Sequence, residues 1–261
     1  MIDMHSHILF GVDDGAKNID DSLKMIKVEI KNGVSHIILT PHFNKENSNI
    51  SNETILENFK MLKLLASSEA PEVELYLGSE VYLDLNYDDI IWKGSFMTLA
   101  DSDYMLIELS LVDMPRNIPE ICYEVNLKGY IPILAHVERY ENLYNNTKLI
   151  SDILNEGAHF QVNSSAILNK EDKDAHKFIN YLLKHELISF VASDMHNLDS
   201  RGSSLNEAYK HVMKLCGDKY ADKIFKLNQQ FIINNIKLNA PSLVLETKKD
   251  SIIKKILNKA K

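Results

Sequence analysis

The chain alternates between short apolar runs of four to seven residues and longer segments in which every third or fourth residue is apolar. The clearest long segment has apolar residues at offsets of four, three and four, a spacing that predicts an amphipathic helix. These residues are Ile19, Leu23, Ile26 and Ile30. Asn18 or Asp20 can cap the start of this helix, and Gly33 stands where a left-handed residue would end it.

The same spacing predicts further helices. One contains Ile55, Phe59, Leu62 and Leu65, another runs from Ile118 to a stop at Gly129, and others cover residues 146–156, 171–186 and 204–216. The short apolar runs predict strands near residues 2–4, 36–40, 73–79, 104–108, 131–136, 159–163 and 188–193. Seven strand–helix units in alternation predict parallel strands, arranged either as a barrel or as a doubly wound sheet.

Residues that can bind metal follow these predicted strands, at the ends where α/β barrels carry their functional groups. Strand ends that are far apart in sequence meet at one face of a barrel, whereas an open sheet places ligands at only one or two strand ends. Six contributing ends therefore predict a closed barrel that forms a single domain over residues 1–235. The candidates are His5, His7, Asp13 or Asp14, His42, Glu80, Glu108, His136, Asp194 and His196.

Local patterns support metal binding at these positions. In the H-S-H of residues 5–7 the alternation of a strand points both imidazoles to one face, and the D-M-H of residues 194–196 repeats that spacing. Glu80 and Glu108 end runs so apolar that an unpaired charge there would be costly. Packing is the alternative for a lone pair of histidines, but it does not explain six strand ends. Imidazoles mixed with carboxylates suit Mn²⁺, Fe²⁺ or Zn²⁺.

The other five histidines are predicted to be solvent-exposed or held by ordinary hydrogen bonds. Two open strands on the rim opposite the candidate ligands, and three lie in helical patterns. They are His36 and His159, followed by His176, His185 and His211.

Length and composition suit one α/β barrel, because 261 residues that are 45% hydrophobic can bury one large core. No apolar run is long enough to cross a membrane, and no signal peptide precedes the first strand, so a cytoplasmic location is expected. A net charge of −8 argues against nucleic acid as the main ligand.

Cysteine-based catalysis is not expected. A cysteine phosphatase needs an arginine at the end of the phosphate-binding loop that follows its thiolate. Lys128 and Asp222 occupy the corresponding positions after Cys122 and Cys216. Both cysteines are therefore predicted to be buried helix residues.

Arginine is rare, since only Arg116, Arg139 and Arg201 are arginines among 29 basic residues. In a chain so rich in lysine, an arginine indicates a need for the planar fork that grips a carboxylate or phosphate with two bonds. Arg139 and Arg201 stand close to candidate ligands and are predicted to be functional. Surface salt bridges are the alternative, and the one favoured for Arg116.

Several motifs together resemble one known family. They are H-S-H followed by V-D-D-G, then T-P-H, G-S-E, I-E, A-H-V-E-R-Y and A-S-D-M-H-N. The set resembles the polymerase-and-histidinol-phosphatase (PHP) superfamily, and within it the CpsB/CapC type of manganese-dependent protein-tyrosine phosphatase from bacterial capsule and exopolysaccharide loci. The resemblance extends from Met1 to about Leu205.

This resemblance implies a distorted (β/α)₇ TIM-like barrel, the PHP fold, with three divalent metal ions. Mn²⁺ is the expected ion, with Fe²⁺ or Zn²⁺ as alternatives. One ion would be held by His5, His7, Glu80 and Asp194, and a second would share Glu80 and add Glu108 and His136. The third would take His42, His196 and Asp14, with Asp13 as the alternative to Asp14.

A mechanism and a partner follow as hypotheses. A metal-bridged hydroxide would attack the phosphorus, while Arg139 and Arg201 would hold the phosphate oxygens and Asp14 or His42 would assist. The substrate would be the phosphotyrosine tail of a bacterial tyrosine kinase that controls capsule or exopolysaccharide synthesis. The alternatives are a phosphatase for a small metabolite such as histidinol phosphate, and a non-catalytic regulator that binds phosphotyrosine. A metal-dependent nuclease is disfavoured by the charge.

The C-terminal segment, residues 236–261, departs from the barrel pattern. From Lys248 onward it carries six lysines against the single acidic residue Asp250, with apolar residues interleaved. These residues predict either a short basic amphipathic helix that contacts an anionic membrane or a partner, or a frayed chain end with solvated lysines.

Overall fold

The fold is given by a computed structural model that describes residues 1–44, 50–84, 87–111, 114–115 and 117–243. The strands of this part of the chain are β1 (Ile2–Ser6), β2 (His36–Leu39), β3 (His42–Phe43), β4 (Glu74–Leu77), β5 (Glu80–Leu83), β6 (Tyr104–Leu109), β7 (Ile131–Leu134), β8 (His159–Asn163) and β9 (Phe190–Ala192). All the strand pairings found among them are parallel. The predicted parallel α/β fold is therefore confirmed.

The nine described strands fill seven strand positions of the barrel, because two of these positions are each made of two short strands with a break between them. β3 follows β2 across residues 40–41, and β5 follows β4 across residues 78–79. β2 pairs with β4 and β3 pairs with β5, and the backbone N–H of Glu80 donates to the carbonyl of Pro41 at 3.1 Å to continue the pairing. All seven strands predicted from the apolar runs are thus present.

Hydrogen bonds also join the first strand to the last. The two sheets run in the orders β1-β2-β4 and β3-β5-β6-β7-β8-β9. Beyond β9, the N–H of Asp194 donates to the carbonyl of His5, and the N–H of His7 donates to the carbonyl of Met195, both at 2.9 Å. These bonds bring β1 against the chain that follows β9, as the predicted barrel requires.

Helices connect the strands. They are α1 (Ile19–Lys31), α2 (Asn52–Glu69), α3 (Tyr87–Lys93), α4 (Ile118–Leu127), α5 (Thr147–Asn155), α6 (Ser164–Leu168), α7 (Lys173–Lys184), α8 (Leu205–Cys216), α9 (Asp218–Asp222) and α10 (Asn228–Ile233), with a π-helical turn over Lys223–Leu227. The six helices predicted from apolar spacing are present. The analysis of spacing missed α3, α6, α9 and α10, which have five to seven residues each and are too short to show a helical period.

The first helix has the predicted ends. The Oδ1 of Asn18 accepts a hydrogen bond from the N–H of Asp21 at 3.0 Å, so Asn18 rather than Asp20 is the N-cap. At the other end Gly33 has φ of +81°, the left-handed conformation that terminates helices and that glycine adopts without strain.

Two buried cores follow from strand alternation. In β6, Tyr104 and Leu106 belong to the smaller core, which contains strand residues and Ile232 of α10. Met105 and Ile107 point the other way, into the larger core that packs the helices on the outside of the sheet. Glu108 continues the inward series of Tyr104 and Leu106, so β6 delivers a carboxylate to the end of the barrel interior.

The opposite end of the barrel is covered by α10 and the chain after it. The hydroxyl of Tyr104, at the start of β6, donates to the carbonyl of Ile236 and accepts from the N–H of Leu238, both at 2.8 Å. The basic tail predicted from Lys248 onward lies outside the described residues. Within the described part, no helix is both long and apolar enough to cross a membrane.

Both cysteines lie in helices, as predicted, but the predicted burial is confirmed only for Cys122, because Cys216 at the end of its helix is partly exposed. Cys122 is buried in α4, where burial raises the pKa of its thiol to about 12, and Cys216 is the last residue of α8. A thiol with so high a pKa is not a nucleophile at neutral pH.

Ser193 ties the ends of the sheet together, and its loss should destabilise the barrel. Its N–H and hydroxyl donate to the two carboxylate oxygens of buried Asp3, at 2.9 and 2.6 Å. We expect Ser193→Ala to lower the free energy of unfolding by about 1–3 kcal/mol, because a buried carboxylate oxygen loses its donor. Urea unfolding in the presence of a chelator measures this. Ser67→Ala, on the exposed face of α2, is the control, and equal stability of the two variants would contradict the assignment.

Candidate metal centre

The carboxyl ends of the strands bring all the predicted ligands to one place. Within the described chain, three groups have ligand atoms that lie within 4.8 Å of one another. The groups are His7, Asp14, His42 and His196; His5, His7 and Glu80; and His42, Glu80 and Glu108. The two remaining predicted ligands, His136 and Asp194, contact members of these groups. Residues that are up to 191 positions apart in sequence therefore share one cluster.

The first part of the cluster has the spacing of a metal-ligand shell. His5 Nε2 lies 3.3 Å from His7 Nε2, 3.3 Å from Glu80 Oε1 and 3.4 Å from Asp194 Oδ1. His7 Nε2 lies 3.5 Å from the same Asp194 oxygen. Ligand atoms bound at about 2.0–2.2 Å to one ion are separated by about 3.0–3.5 Å from each other. His5, His7 and Glu80 therefore have the spacing of ligands around one divalent ion, and Asp194 adjoins the two histidines.

Hydrogen bonds fix the direction of these imidazoles. His5 Nδ1 lies 3.1 Å from Gln161 Oε1, His7 Nδ1 lies 2.7 Å from Asp13 Oδ2, and His196 Nδ1 lies 2.9 Å from the carbonyl of Asp194. A proton on each Nδ1 satisfies these acceptors and leaves the Nε2 lone pair facing the centre of the cluster. A carboxylate or carbonyl behind an imidazole is the usual second partner of a metal-binding histidine.

Glu80 is shared by two parts of the cluster. His136 Nε2 lies 2.8 Å from its Oε1, and His42 Nδ1 lies 2.9 Å from its Oε2. Glu108 lies farther out, 3.6 Å from His42 Nδ1 and 3.8 Å from His136 Nε2. Glu80 and Glu108 form a ligand group with His42, and His136 contacts both carboxylates.

The geometry separates Asp13 from Asp14. Asp14 Oδ1 lies 3.4 Å from His42 Nε2 and 3.3 Å from His196 Nε2, and these three residues form a ligand group with His7. Asp13 instead accepts from the backbone N–H groups of Gly15 and His42, besides its contact with His7. Asp14 thus faces the cluster, while Asp13 supports a histidine from behind.

Charge keeps the buried carboxylates ionised. Burial alone would raise the pKa of Glu80, but the charge of His5 and hydrogen bonds from His136 and His42 hold it well below its ordinary value. Burial likewise acts against ionised Asp194, and His5 and His7 lower its pKa well below the usual range. A divalent ion that displaced the imidazole protons would bind ionised carboxylates and neutral imidazole nitrogens together, a donor set suited to Mn²⁺, Fe²⁺ or Zn²⁺.

Both predicted arginines stand at the edge of this cluster. Arg139 Nη2 donates to Asp194 Oδ2 at 2.7 Å. Arg201 reaches the same oxygen at 3.4 Å and Asp14 Oδ2 at 3.5 Å. Each guanidinium is about one-third exposed, so both face the solvent side of the cluster as well. Arg116 lies outside the described residues.

Strand β8 contributes two side chains that the sequence analysis missed. Gln161 accepts from the N–H of His136 at 2.8 Å besides contacting His5, and its amide donates to Asn163 Oδ1 at 2.8 Å. Asn163 in turn donates to Asp194 Oδ2 at 2.8 Å. Their spacing of two residues at the end of an apolar strand was the available signal, because it places both on one face.

The backbone bends sharply at two of the ligands. His136 and Asp194 have φ of +35° and +52°, in the left-handed region that residues with a side chain rarely adopt. Such conformations cluster at functional sites, where surrounding contacts hold them. Gly15 serves a different need, since a Cβ built there would lie 1.9 Å from the carbonyl oxygen of His7. Glycine therefore lets the D-D-G loop pass close to the first ligand strand.

The other five histidines lie outside the three ligand groups. Burial lowers the pKa of His159 to about 4, and its Nδ1 lies 2.8 Å from Ser189 Oγ. His36 is partly exposed at the opposite end of its strand. Both positions agree with the predicted structural role.

A parallel α/β barrel with a buried cluster of imidazoles and carboxylates at the carboxyl ends of its strands has the architecture of a metal-dependent hydrolase. The chain belongs to the CpsB/CapC family of capsular polysaccharide synthesis, whose model matches residues 1–234. It is 35% identical over 240 residues to the tyrosine-protein phosphatase CpsB of Streptococcus agalactiae. The aligned region covers 90% of this chain and 99% of CpsB.

Two further relatives agree. Tyrosine-protein phosphatase YwqE of Bacillus subtilis is 33% identical over 221 residues, covering 84% of this chain and 86% of YwqE. A solved structure is also similar. It comes from a study of the crystal structures of YwqE from Bacillus subtilis and CpsB from Streptococcus pneumoniae, described as unique metal-dependent tyrosine phosphatases. This chain superposes on it with a TM-score of 0.85. The match has 29% identity and covers 94% of this chain and all of that one. The recognition of the family from its motifs is therefore confirmed.

Asp13 should tune metal affinity without being a ligand. We expect Asp13→Asn to bind the same number of Mn²⁺ ions as the wild type but about 10- to 100-fold more weakly, because the amide holds His7 less well. Metal content measured across buffered Mn²⁺ concentrations tests this. Asp20→Asn, exposed in the first turn of α1, is the control. Loss of one ion at saturating Mn²⁺ would instead make Asp13 a ligand.

Proposed function

We propose that this protein hydrolyses phosphotyrosine with three divalent metal ions, Mn²⁺ foremost, at the cluster of His5, His7, Asp14, His42, Glu80, Glu108, His136, Asp194 and His196. Membership of the CpsB/CapC family and the activity named for its relatives support the reaction. The observation that carries the proposal is the pair of arginines at the rim of a cluster whose ligand atoms have the spacing of metal shells.

The bound ions would supply Lewis acidity and a water that loses its proton near neutral pH. The chain supplies the rest. Arg139 and Arg201 converge on Asp194 from the solvent side, so a phosphate that enters there meets both guanidinium groups. Their planar forks hold phosphate oxygens and stabilise the charge that develops in the transition state.

The leaving group makes a strong general acid unnecessary. The phenol of tyrosine has a reference pKa of about 10 and leaves more easily than an alkyl alcohol. Hydrogen bonds from His196 and His42 lower the pKa of Asp14 far below its usual range, so Asp14 accepts protons poorly and has none to donate at neutral pH. We propose that Asp14 or His42 assists the reaction, Asp14 by orienting the reacting groups rather than by delivering a proton.

The proposed substrate is the phosphotyrosine tail of the tyrosine kinase that controls capsule or exopolysaccharide synthesis. The family is one of capsular polysaccharide synthesis, and its named members act on phosphotyrosine, which supports a kinase of that system as partner. A phosphatase for histidinol phosphate is the alternative, because it would need the same cluster and arginines. A non-catalytic regulator is the second alternative.

The substrate class can be decided by direct comparison. We expect Mn²⁺-dependent phosphate release from a tyrosine-phosphorylated peptide, with kcat/KM at least about tenfold higher than for histidinol phosphate and no release after chelation. Faster release from histidinol phosphate would keep the site but change the substrate. Binding of the peptide without release, with metals present, would favour the regulator.

Arg139 should act on phosphate and not on metal. We expect Arg139→Ala to lower kcat about 100-fold while metal content stays at the wild-type level, because a preorganised charge is lost from the transition state. Lys148→Ala removes the same charge from an exposed pair with Asp152 and serves as control. If Arg139→Ala lost its metal ions, the arginine would be a structural partner of Asp194, and this role would be wrong.

A further inference from the structure

A cleft of about 540 Å³ opens beside the metal centre. Arg139 lines it, and so does Asn163, whose amide contacts Asp194. The cleft therefore begins at the residues that face the proposed phosphate site. A ligand group that enters it must belong to the same molecule as the phosphate or lie directly against it.

The lining of this cleft is acidic. Glu138, Glu141, Glu171 and Asp172 contribute four carboxylates, and Arg139 is the only cation among the lining residues that the structure describes. The charge of Arg139 is already engaged by Asp194 at 2.7 Å. Asp172 caps α7 by accepting from the N–H of Ala175 at 3.0 Å, whereas Glu141 and Glu171 are exposed.

Glu138 gives a second and independent indication of a ligand. Its side chain is only 6% exposed, and its Oε1 accepts from the N–H of Asn163 at 3.2 Å. Its Oε2 is buried and has no hydrogen-bond donor among the described residues. Burial raises the pKa of Glu138 to about 7, and an N–H donor or a cation in the cleft would stabilise its ionised form.

We infer that this acidic cleft is a subsite for a lysine or arginine side chain that neighbours the phosphotyrosine of the substrate, an inference that rests on the proposed function. The two ends of the site have opposite preferences, because the arginines favour the phosphate and the cleft favours a cation. Successive residues of an extended peptide are about 3.3–3.6 Å apart, so the cation belongs within about three positions of the phosphotyrosine. The substrate is thus selected by its flanking charge as well as by its phosphate.

Peptides that differ only in flanking charge test this subsite. A set of peptides is made from one phosphotyrosine sequence. In each peptide, one of the three positions before or after the phosphotyrosine is lysine, glutamine or glutamate. We expect kcat/KM to be about tenfold higher for lysine than for glutamate at one or more positions, and the difference to shrink as salt is raised. p-Nitrophenyl phosphate, which has no flanking residues, gives the reference activity.

The double variant Glu141→Gln/Glu171→Gln tests the assignment to this cleft. We expect kcat/KM for the lysine peptide to fall about fivefold, mainly through KM, with p-nitrophenyl phosphate unaffected. Glu57→Gln, an exposed carboxylate of α2 outside the cleft, should leave every substrate unchanged.

The outcomes separate the inference from the function on which it rests. Equal kcat/KM for all peptides, or a lysine preference that keeps its full size in the double variant, overturns the subsite and leaves the phosphatase intact. Hydrolysis of p-nitrophenyl phosphate but of no peptide overturns the proposed function, and the subsite with it.

Discussion

Burial of carboxylates at the ends of the strands is the constraint on which the rest of this structure depends. The side chains of Asp13, Glu80, Glu108 and Asp194 are each at most 5% exposed. Such charges are stable only when paired, so every one of them is met by an imidazole or a guanidinium. For Glu80, Glu108 and Asp194 those partners come from other strands, so strands that are far apart in sequence must end at the same level. The closure of the barrel and the integrity of the cluster are therefore one requirement.

Much of this could be predicted, because the strands are short, apolar and followed at once by their functional residue. The alternation of apolar runs gave seven strands, and the residues after them gave every member of the observed cluster. The choice between Asp13 and Asp14 needed coordinates, since neighbours in a loop can point either way. Gln161 and Asn163 were missed for a related reason: an amide at a strand end looks like an ordinary polar residue until its partner is known.

Asp194 shows how the parts of the site depend on one another. Its Oδ1 faces His5 and His7, while its Oδ2 accepts from Asn163 and from both arginines. One carboxylate thus joins the histidine side of the cluster to the side that faces the solvent. Its left-handed backbone is held by the hydrogen bond that joins β1 to the chain after β9. A change in the closure of the barrel would therefore move the arginines as well as the histidines.

The sign of the charge at this site depends on its ions. Without them, the carboxylates of Asp14, Glu80, Glu108 and Asp194 take up the positive charge of the imidazoles and of the two arginines, so little of it is left to attract a phosphate to an acidic protein. Three divalent ions, as proposed, would make the same site positive while the cleft beside it stays negative. Phosphate binding and phosphate hydrolysis would then require the same ions.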